Sequence, residues 1–165
     1  MPTVIELCSG SGVGKALVRL GWDVVSCDDC CSADFVWATA KKQEDVDELL
    51  RIALHYNCSF AFQSPQTLMV KDVPFTDTSY CKYGFPYRKR TKIWHNMGDY
   101  LQIRPMCCNA HPCEQMSAHR RHMMSARTHS MPLMVSEETA LAADIIYSIN
   151  DTRNTICTLL ELPQA

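Results

Sequence analysis

The chain has 165 residues, of which 47% are hydrophobic, and its formal net charge is -2 at pH 7. This length and apolar content predict one folded chain with a substantial core. The nearly balanced charge excludes attraction to nucleic acid through an overall field, so such contact requires local basic patches. No apolar run approaches the roughly 20 residues of a membrane span, and the N-terminus lacks a secretory pattern. We therefore expect an intracellular protein, cytoplasmic or nuclear, without membrane contact, whose ten cysteines are reduced thiols.

The first 28 residues have the pattern of half a nucleotide-binding pocket. Residues 4–7 predict an apolar strand, residues 8–14 a glycine-rich turn, and a helix and a second strand then lead to Asp28. Glycine allows the backbone to approach a ligand closely, and an acid after the second strand can accept hydrogen bonds from a ribose. The candidate cofactor-binding residues are Leu7, Cys8, Ser9, Gly10, Ser11, Gly12 and Asp28.

Two other interpretations apply to this turn. A phosphate-binding P-loop requires Gly-x-x-x-x-Gly-Lys-Ser/Thr, whereas here Ser9 replaces the first glycine and Ala16 replaces the hydroxyl residue. The sequence therefore argues against a nucleoside triphosphatase. An ordinary strand-to-helix connection also contains glycines without binding a ligand, and this alternative stays open.

The middle of the chain continues to alternate strands and helices. Residues 33–38 and 59–62 predict buried strands, and residues 43–55 predict an amphipathic helix. Its apolar face is predicted to contain Val46, Leu49, Leu50, Ala53 and Leu54. Such alternation predicts an α/β fold with a mostly parallel sheet covered by helices.

The composition changes in the second half of the chain. A helix is predicted to begin at Ser136, where a serine cap is followed by two acids, and a separate short helix is predicted at residues 155–162. We expect residues 1–100 to form the α/β core, and residues 101–165 a Cys/His/Met-rich irregular segment with C-terminal helices packed on that core.

An aromatic and basic stretch at residues 83–94 reads Tyr-Gly-Phe-Pro-Tyr-Arg-Lys-Arg-Thr-Lys-Ile-Trp. With the glycine-rich turn, it resembles the DNA (cytosine-5)-methyltransferases, especially their compact viral and phage-like members, over most of the chain. The resemblance implies a reduced Rossmann-like sheet, an S-adenosylmethionine loop at residues 4–14 with Asp28 beyond it, and a strand that presents Arg88 and Arg90 to the active site. Residues 146–149 also resemble the closing stretch of the compact members, although Asn150 and Asp151 replace its prolines.

The chain departs from this family at the two positions that carry its chemistry. In the family, the strand resembling residues 35–38 leads into a Pro-Cys loop whose thiolate attacks C6 of cytosine, whereas here Thr-Ala-Lys-Lys follows. Gln63 occupies the place of the family's catalytic glutamate. Without a thiolate the weakly nucleophilic C5 is not activated, and an amide cannot cycle a proton. The sequence therefore predicts a pseudoenzyme with degenerate site positions Gln63, Arg88 and Arg90.

Two alternatives to a binding-competent pseudoenzyme stay open. One is an active methyltransferase, in which a partner subunit or a relocated thiol supplies the nucleophile, with Cys27, Cys30, Cys31 and Cys81 as candidates. The other is a degenerate chain with little function left.

A cluster of soft ligands at residues 107–113 predicts a zinc site. Its candidate ligands are Cys107, Cys108, His111 and Cys113, with His119, His122 and His129 close behind. The spacing matches no standard zinc finger, so a cysteine-rich packed loop is the alternative.

Two groups of basic residues predict contact with DNA phosphates. The first consists of Arg88, Lys89, Arg90 and Lys92, and the second of Arg104, His119, Arg120, Arg121, His122 and Arg127. We expect DNA to bind through Arg88, Arg90, Arg120 and Arg121, and a protein partner is a further expectation. The alternative is a solvated basic face without a partner.

Overall fold

A computed structural model describes residues 1–7, 12–25, 32–65, 68–116 and 131–161, and the side chains of the last helix as far as residue 154. The strands are β1 (Thr3–Leu7), β2 (Asp23–Val25), β3 (Phe35–Thr39), β4 (Ser59–Ser64), β5 (Phe75–Ser79) and β6 (Arg90–His95). The helices are α1 (Val13–Arg19), α2 (Gln43–Tyr56) and α3 (Leu133–Glu161). Two 3-10 turns span Tyr80–Tyr83 and Gly98–Tyr100.

The six strands form one mixed sheet in the order β2-β1-β3-β4-β6-β5. The first four strands are parallel, β6 is antiparallel to β4, and β5 is antiparallel to β6. Parallel neighbours need crossover connections, which α1 and α2 provide. The predicted α/β class and the mostly parallel sheet are confirmed, and the arrangement is compatible with a Rossmann-like fold.

The sheet is covered on both faces. Val4, Phe35 and Trp37 face a cluster that includes residues of α1 and α3, whereas their neighbours Ile5, Val36 and Ala38 face α2. This alternation is the two-residue period of a strand that is buried on both sides.

The apolar face of α2 largely follows the predicted pattern. Val46, Leu49 and Ala53 are buried and Leu50 is partly buried against the same cluster, but Leu54 is 81% exposed and Ile52 is buried instead. The placement of Leu54 in the core was therefore wrong.

The C-terminal prediction of two helices was also wrong, because α3 is a single helix of 29 residues. It begins at Leu133 directly after Pro132, and Ser136 lies inside its first turn, where the hydroxyl faces the carbonyl of Pro132 at 3.5 Å. No glycine or proline interrupts residues 133–161, so the polar residues near position 150 do not end the helix.

Trp22 attaches α3 to the rest of the core. Its indole Nε1 donates to Oδ1 of Asp144 at 2.8 Å, and its ring packs edge-on against Tyr147 at a centroid distance of 5.4 Å. Residues 146–149 therefore lie on a packing helix. Within the described residues, no helix combines the length and the apolar character that are required to cross a bilayer.

Strand β5 was not predicted, and the predicted strand at residues 83–94 is shorter than expected. β5 reads Phe-Thr-Asp-Thr-Ser and pairs with β6 at the edge of the sheet, where polar residues are common. Only residues 90–95 of the aromatic and basic stretch form a strand, because residues 80–83 turn in a 3-10 conformation and Gly84 adopts a φ of 88°.

His95, at the end of β6, is buried and hydrogen-bonded through both ring nitrogens. The backbone N–H of Met97 donates to Nδ1 at 3.2 Å, so Nε2 carries the proton toward the hydroxyl of Thr76 at 3.0 Å. Burial lowers the pKa of His95 from its ordinary value of 6.5. Protonation would place a second donor against the Met97 N–H in a desolvated site.

We expect His95 to make the fold sensitive to acid. A depressed folded-state pKa means that the neutral form stabilises the fold above about pH 6.5, and this contribution falls as the pH drops toward the lower folded pKa. Urea unfolding between pH 7.5 and 5 should show a loss of at most about 1.4 kcal/mol per pH unit from this group. His95→Asn should be less stable overall but should flatten that slope, whereas His55→Asn, at an exposed position, should not. Parallel slopes for His95→Asn and the unmodified protein would contradict this assignment.

Candidate functional site

The candidate site lies at the carboxyl ends of β1, β3 and β4, which together form one edge of the sheet. Leu7 is paired with Ala38, and Thr39 is paired with Gln63, so these strands end side by side. Because β6 is antiparallel to β4, its first residue, Arg90, lies at the same edge. The structure therefore brings three of the predicted site residues, Leu7, Gln63 and Arg90, to one edge.

The strand order also reverses at this edge. From β1 the chain moves to β2 on one side and then to β3 and β4 on the other. In open α/β sheets, such a reversal leaves a crevice at the carboxyl ends of the strands, and ligands bind there. Cys8, Ser9, Gly10, Ser11 and Asp28, which were predicted to bind the cofactor, lie outside the described residues.

Gly12 lies close to α3. A Cβ on Gly12 would lie 3.0 Å from Oγ of Ser136, so this glycine allows α1 to approach α3 closely. A Cβ on Gly14 would meet only the carboxylate of Glu6, the end of a flexible side chain that can turn away. The close packing at Gly12 agrees with the ordinary strand-to-helix alternative and does not itself require a ligand.

The connection from β3 to α2 is short and closed. Only residues 40–42 separate the two elements, and the N–H of Ala40 donates to the carbonyl of Gln63 at 2.9 Å. The carboxylate of Asp45 accepts from the N–H groups of Lys41 and Lys42 at 2.8 and 3.1 Å. The backbone hydrogen bond from Lys41 is the first cause that holds the pKa of Asp45 below its usual value.

Gln63 lies in β4 between two neighbouring strands. It is paired with Thr39 on one side and Ile93 on the other, and it is half-buried. The next residue, Ser64, is fully buried, and its hydroxyl accepts from Nε1 of Trp94 at 2.8 Å. The end of β4 is therefore fixed by backbone pairing and by a buried side-chain hydrogen bond.

The two predicted arginines make different contacts. Arg88 is half-buried, and its Nη2 donates to the carbonyl of Cys107 at 2.6 Å. Arg90 is exposed, and its Nε lies 2.8 Å from the sulfur of Met106. Arg88 thus holds a neighbouring segment in place, and Arg90 presents its charge at the surface.

Most of the basic stretch is used in packing. Lys92 is only 7% exposed, and its Nζ lies over the rings of Phe75 and Trp94 at 4.5 and 5.1 Å. The Nζ of Lys89 lies over the ring of Tyr80 at 5.0 Å. The ammonium of Lys92 thus packs against two aromatic rings, and its contact with phosphate stays a prediction. Arg120 and Arg121 lie outside the described residues.

The cysteines do not group as predicted. Ligand atoms of Cys81, Cys107 and Cys113 all lie within 4.8 Å of one another, and all three residues are buried. Cys108 and His111 instead pair with each other, with Sγ and Nδ1 separated by 3.7 Å, on a turn closed by two backbone hydrogen bonds. The sequence therefore indicated two of the three clustered thiols and missed Cys81.

The two kinds of cysteine differ in their acidity. Burial raises the pKa of the Cys81 thiol to about 12. The hydrogen bond from His111 lowers the pKa of the partly exposed Cys108. Cys27, Cys30 and Cys31, which were the other relocated-thiol candidates, lie outside the described residues.

A cavity of about 450 Å³ lies at the other end of the strands, beside the residues that lead into β3 and β4. Its lining is largely polar and includes Asp34, Asn57, Asn96, Asn150, Asp151 and Asn154. The ends of the strands that carry Leu7 and Gln63 do not border it, so this cavity is separate from the candidate site.

No protein-family model matches the chain, and no curated protein matches it.

Proposed function

We propose that this chain is a catalytically degenerate homologue of the DNA (cytosine-5)-methyltransferases, which binds S-adenosylmethionine and DNA without transferring the methyl group. The proposal rests on the resemblance of residues 4–14 and 83–94 to that family. It is supported by the edge of the sheet at which Leu7, Gln63 and Arg90 lie, and by the reversal of strand order there.

The proposal that activity is lost depends on the connection between β3 and α2. The family's nucleophile follows the strand that resembles β3, but here residues 40–42 contain no cysteine and enter α2 directly. Because Asp45 closes this connection through two backbone hydrogen bonds, its short path is fixed. Gln63 at the next strand end offers an amide, which can bind the edge of a base but cannot donate and recover a proton.

The proposed place for S-adenosylmethionine is the carboxyl ends of the strands, where the strand order reverses. Leu7 ends β1 at this edge, and Gly12 begins the turn into α1. β2 lies next to β1 and runs parallel to it, and Asp28, which follows β2 in the sequence, lies outside the described residues. The chain would supply backbone groups of residues 8–11 and the Asp28 carboxylate, and the cofactor would supply the sulfonium and the ribose hydroxyls that these groups recognise.

Calorimetric titration with S-adenosylmethionine tests the cofactor site. We expect measurable binding that Asp28→Ala weakens by about 10- to 100-fold, since a hydrogen bond to a charged group contributes about 1.5–3 kcal/mol. Asp23→Ala is the matched control, because Asp23 is exposed at the other end of β2 and should not affect affinity. Equal effects of the two substitutions, or no binding by the unmodified protein, would contradict the assigned pocket.

The alternative of an active enzyme with a relocated thiol now has a specific candidate. Cys81 is 2% exposed and lies in a cluster with two other cysteines, so a base cannot reach it without rearrangement. Cys108 is partly exposed and its thiol is hydrogen-bonded to a histidine, an arrangement that activates nucleophilic cysteines.

Incubation with radiolabelled S-adenosylmethionine and cytosine-containing DNA separates the pseudoenzyme from this alternative. We expect no methylated product from the purified chain, and no covalent adduct with 5-fluorocytosine DNA, because no thiolate follows β3. Methylated DNA from the purified chain alone would refute the degenerate assignment. An adduct that Cys108→Ser abolishes and Cys58→Ser preserves would establish the relocated thiol.

DNA binding is tested by its dependence on salt. Each phosphate contact contributes about 0.9 to the slope of log affinity against log salt, so Arg120→Glu with Arg121→Glu should reduce that slope by up to about 2, and Arg90→Glu by about 1. Arg51→Glu, on α2, changes the net charge by as much as Arg90→Glu and should have a much smaller effect. A flat salt response of the unmodified protein would exclude phosphate contact.

A further inference from the structure

The strongest unassigned feature is the cluster of Cys81, Cys107 and Cys113, which the proposed function does not use. Their ligand atoms lie within 4.8 Å of one another, and the residues are 2%, 0% and 9% exposed. Met116 packs against the three cysteines. Three thiols therefore converge in one buried place, Cys81 from the turn at Tyr80–Tyr83 and the other two from a single later segment.

The spacing of the sulfur atoms is close to that of a metal site. Zinc binds thiolate at about 2.3 Å, and a tetrahedral arrangement then places the sulfur atoms about 3.8 Å apart. Sulfur atoms already within 4.8 Å of one another need shift by only about 1 Å to reach this geometry.

The backbone that carries the cysteines is held independently of any metal. Cys81 lies in the 3-10 turn Tyr80–Tyr83. Cys107 is held through both of its backbone polar groups. Its N–H donates to Oγ of Ser79 at 3.3 Å, and its carbonyl accepts from Arg88 at 2.6 Å.

The segment around Cys113 is tied to the same turn. The Nζ of Lys82 donates to the carbonyl of Pro112 at 3.0 Å, and Nη1 of Arg104 donates to the carbonyl of Lys82 at 2.8 Å. Because side-chain hydrogen bonds hold each segment, the ligands are preorganised, which reduces the entropy lost when a metal binds.

A cavity of about 350 Å³ adjoins the cluster and leaves room for a fourth ligand. Cys81 and Cys113 line it, together with Glu114 and Arg104, whereas Cys107 does not. Two of the three sulfur ligands thus border an open space that a water molecule or the Glu114 carboxylate can enter.

We propose that Cys81, Cys107 and Cys113 bind one Zn²⁺ ion as thiolates, with the fourth coordination position facing this cavity. Three soft sulfur ligands with one oxygen position suit zinc. The ion would crosslink the segment at residues 104–116 to the turn before β6. Cys108 and His111 are outside this ligand set, because they pair with each other on the surface. Zinc binding here does not depend on the proposed function.

The experiment uses the full chain, purified with a reductant, stripped with a chelator and then dialysed against Zn²⁺. Elemental analysis should give one zinc per chain, and Cys81→Ser, Cys107→Ser and Cys113→Ser should each lose stoichiometric binding. Cys108→Ser and Cys58→Ser are the matched controls and should retain it. Titration with Co²⁺ should give the absorption of tetrahedral thiolate coordination, and Zn²⁺ should raise the melting temperature of the unmodified protein.

Several results would overturn the inference. They are a chain without zinc under these conditions, a disulfide between two of the three cysteines that persists in reductant, or zinc that is lost in Cys108→Ser but kept in Cys81→Ser. The Co²⁺ spectrum and the thermal shift are measured on the unmodified chain, so a cysteine variant that fails to fold leaves the inference falsifiable.

Discussion

The parallel pairing of β1, β3 and β4 is the constraint on which the rest of the structure depends. Parallel strands end at the same edge, so the register that joins Leu7 to Ala38 and Thr39 to Gln63 decides which side chains can act together. The same pairing requires α1 and α2 as crossovers, and each then buries one face of the sheet. A one-residue slip would turn the apolar side chains of a strand to the opposite face, so burial on both faces holds the candidate site in register.

The same constraint explains why the connection after β3 cannot readily recover a nucleophile. β3 is fixed between β1 and β4, and α2 begins after three intervening residues, of which Lys41 and Lys42 donate their N–H groups to Asp45. A longer loop that turned a thiol toward the edge would have to break this cap, which contributes about 0.5–2 kcal/mol, and would have to order additional backbone. The proposed loss of catalysis therefore depends on the short connection between β3 and α2 as well as on the identity of its residues.

The elements with a local apolar pattern could be predicted from the sequence. β1, β3 and β4 are short apolar runs and α2 repeats its buried positions every three to four residues, and the sequence shows both patterns directly. β5 could not be found in this way because its edge position tolerates Thr76 and Asp77, and the continuity of α3 was obscured because Ser136 resembles a helix cap. In the candidate site, the edge residues follow from strand order. Cys81 could not be assigned to the cysteine cluster because only the tertiary packing brings it to Cys107 and Cys113.

The basic stretch shows how packing can change the use of a motif. A buried or half-buried cation must exchange its hydration for other contacts, which Arg88 finds in the carbonyl of Cys107 and Lys92 finds over aromatic rings. These contacts hold β6 and the segment beyond it, so these charges stabilise the fold. Of Arg88, Lys89, Arg90 and Lys92, Arg90 is the exposed one in the described part of the chain. Of these four charges, Arg90 is therefore the one placed to attract phosphate at the surface, since a charge enclosed by protein adds little counterion release.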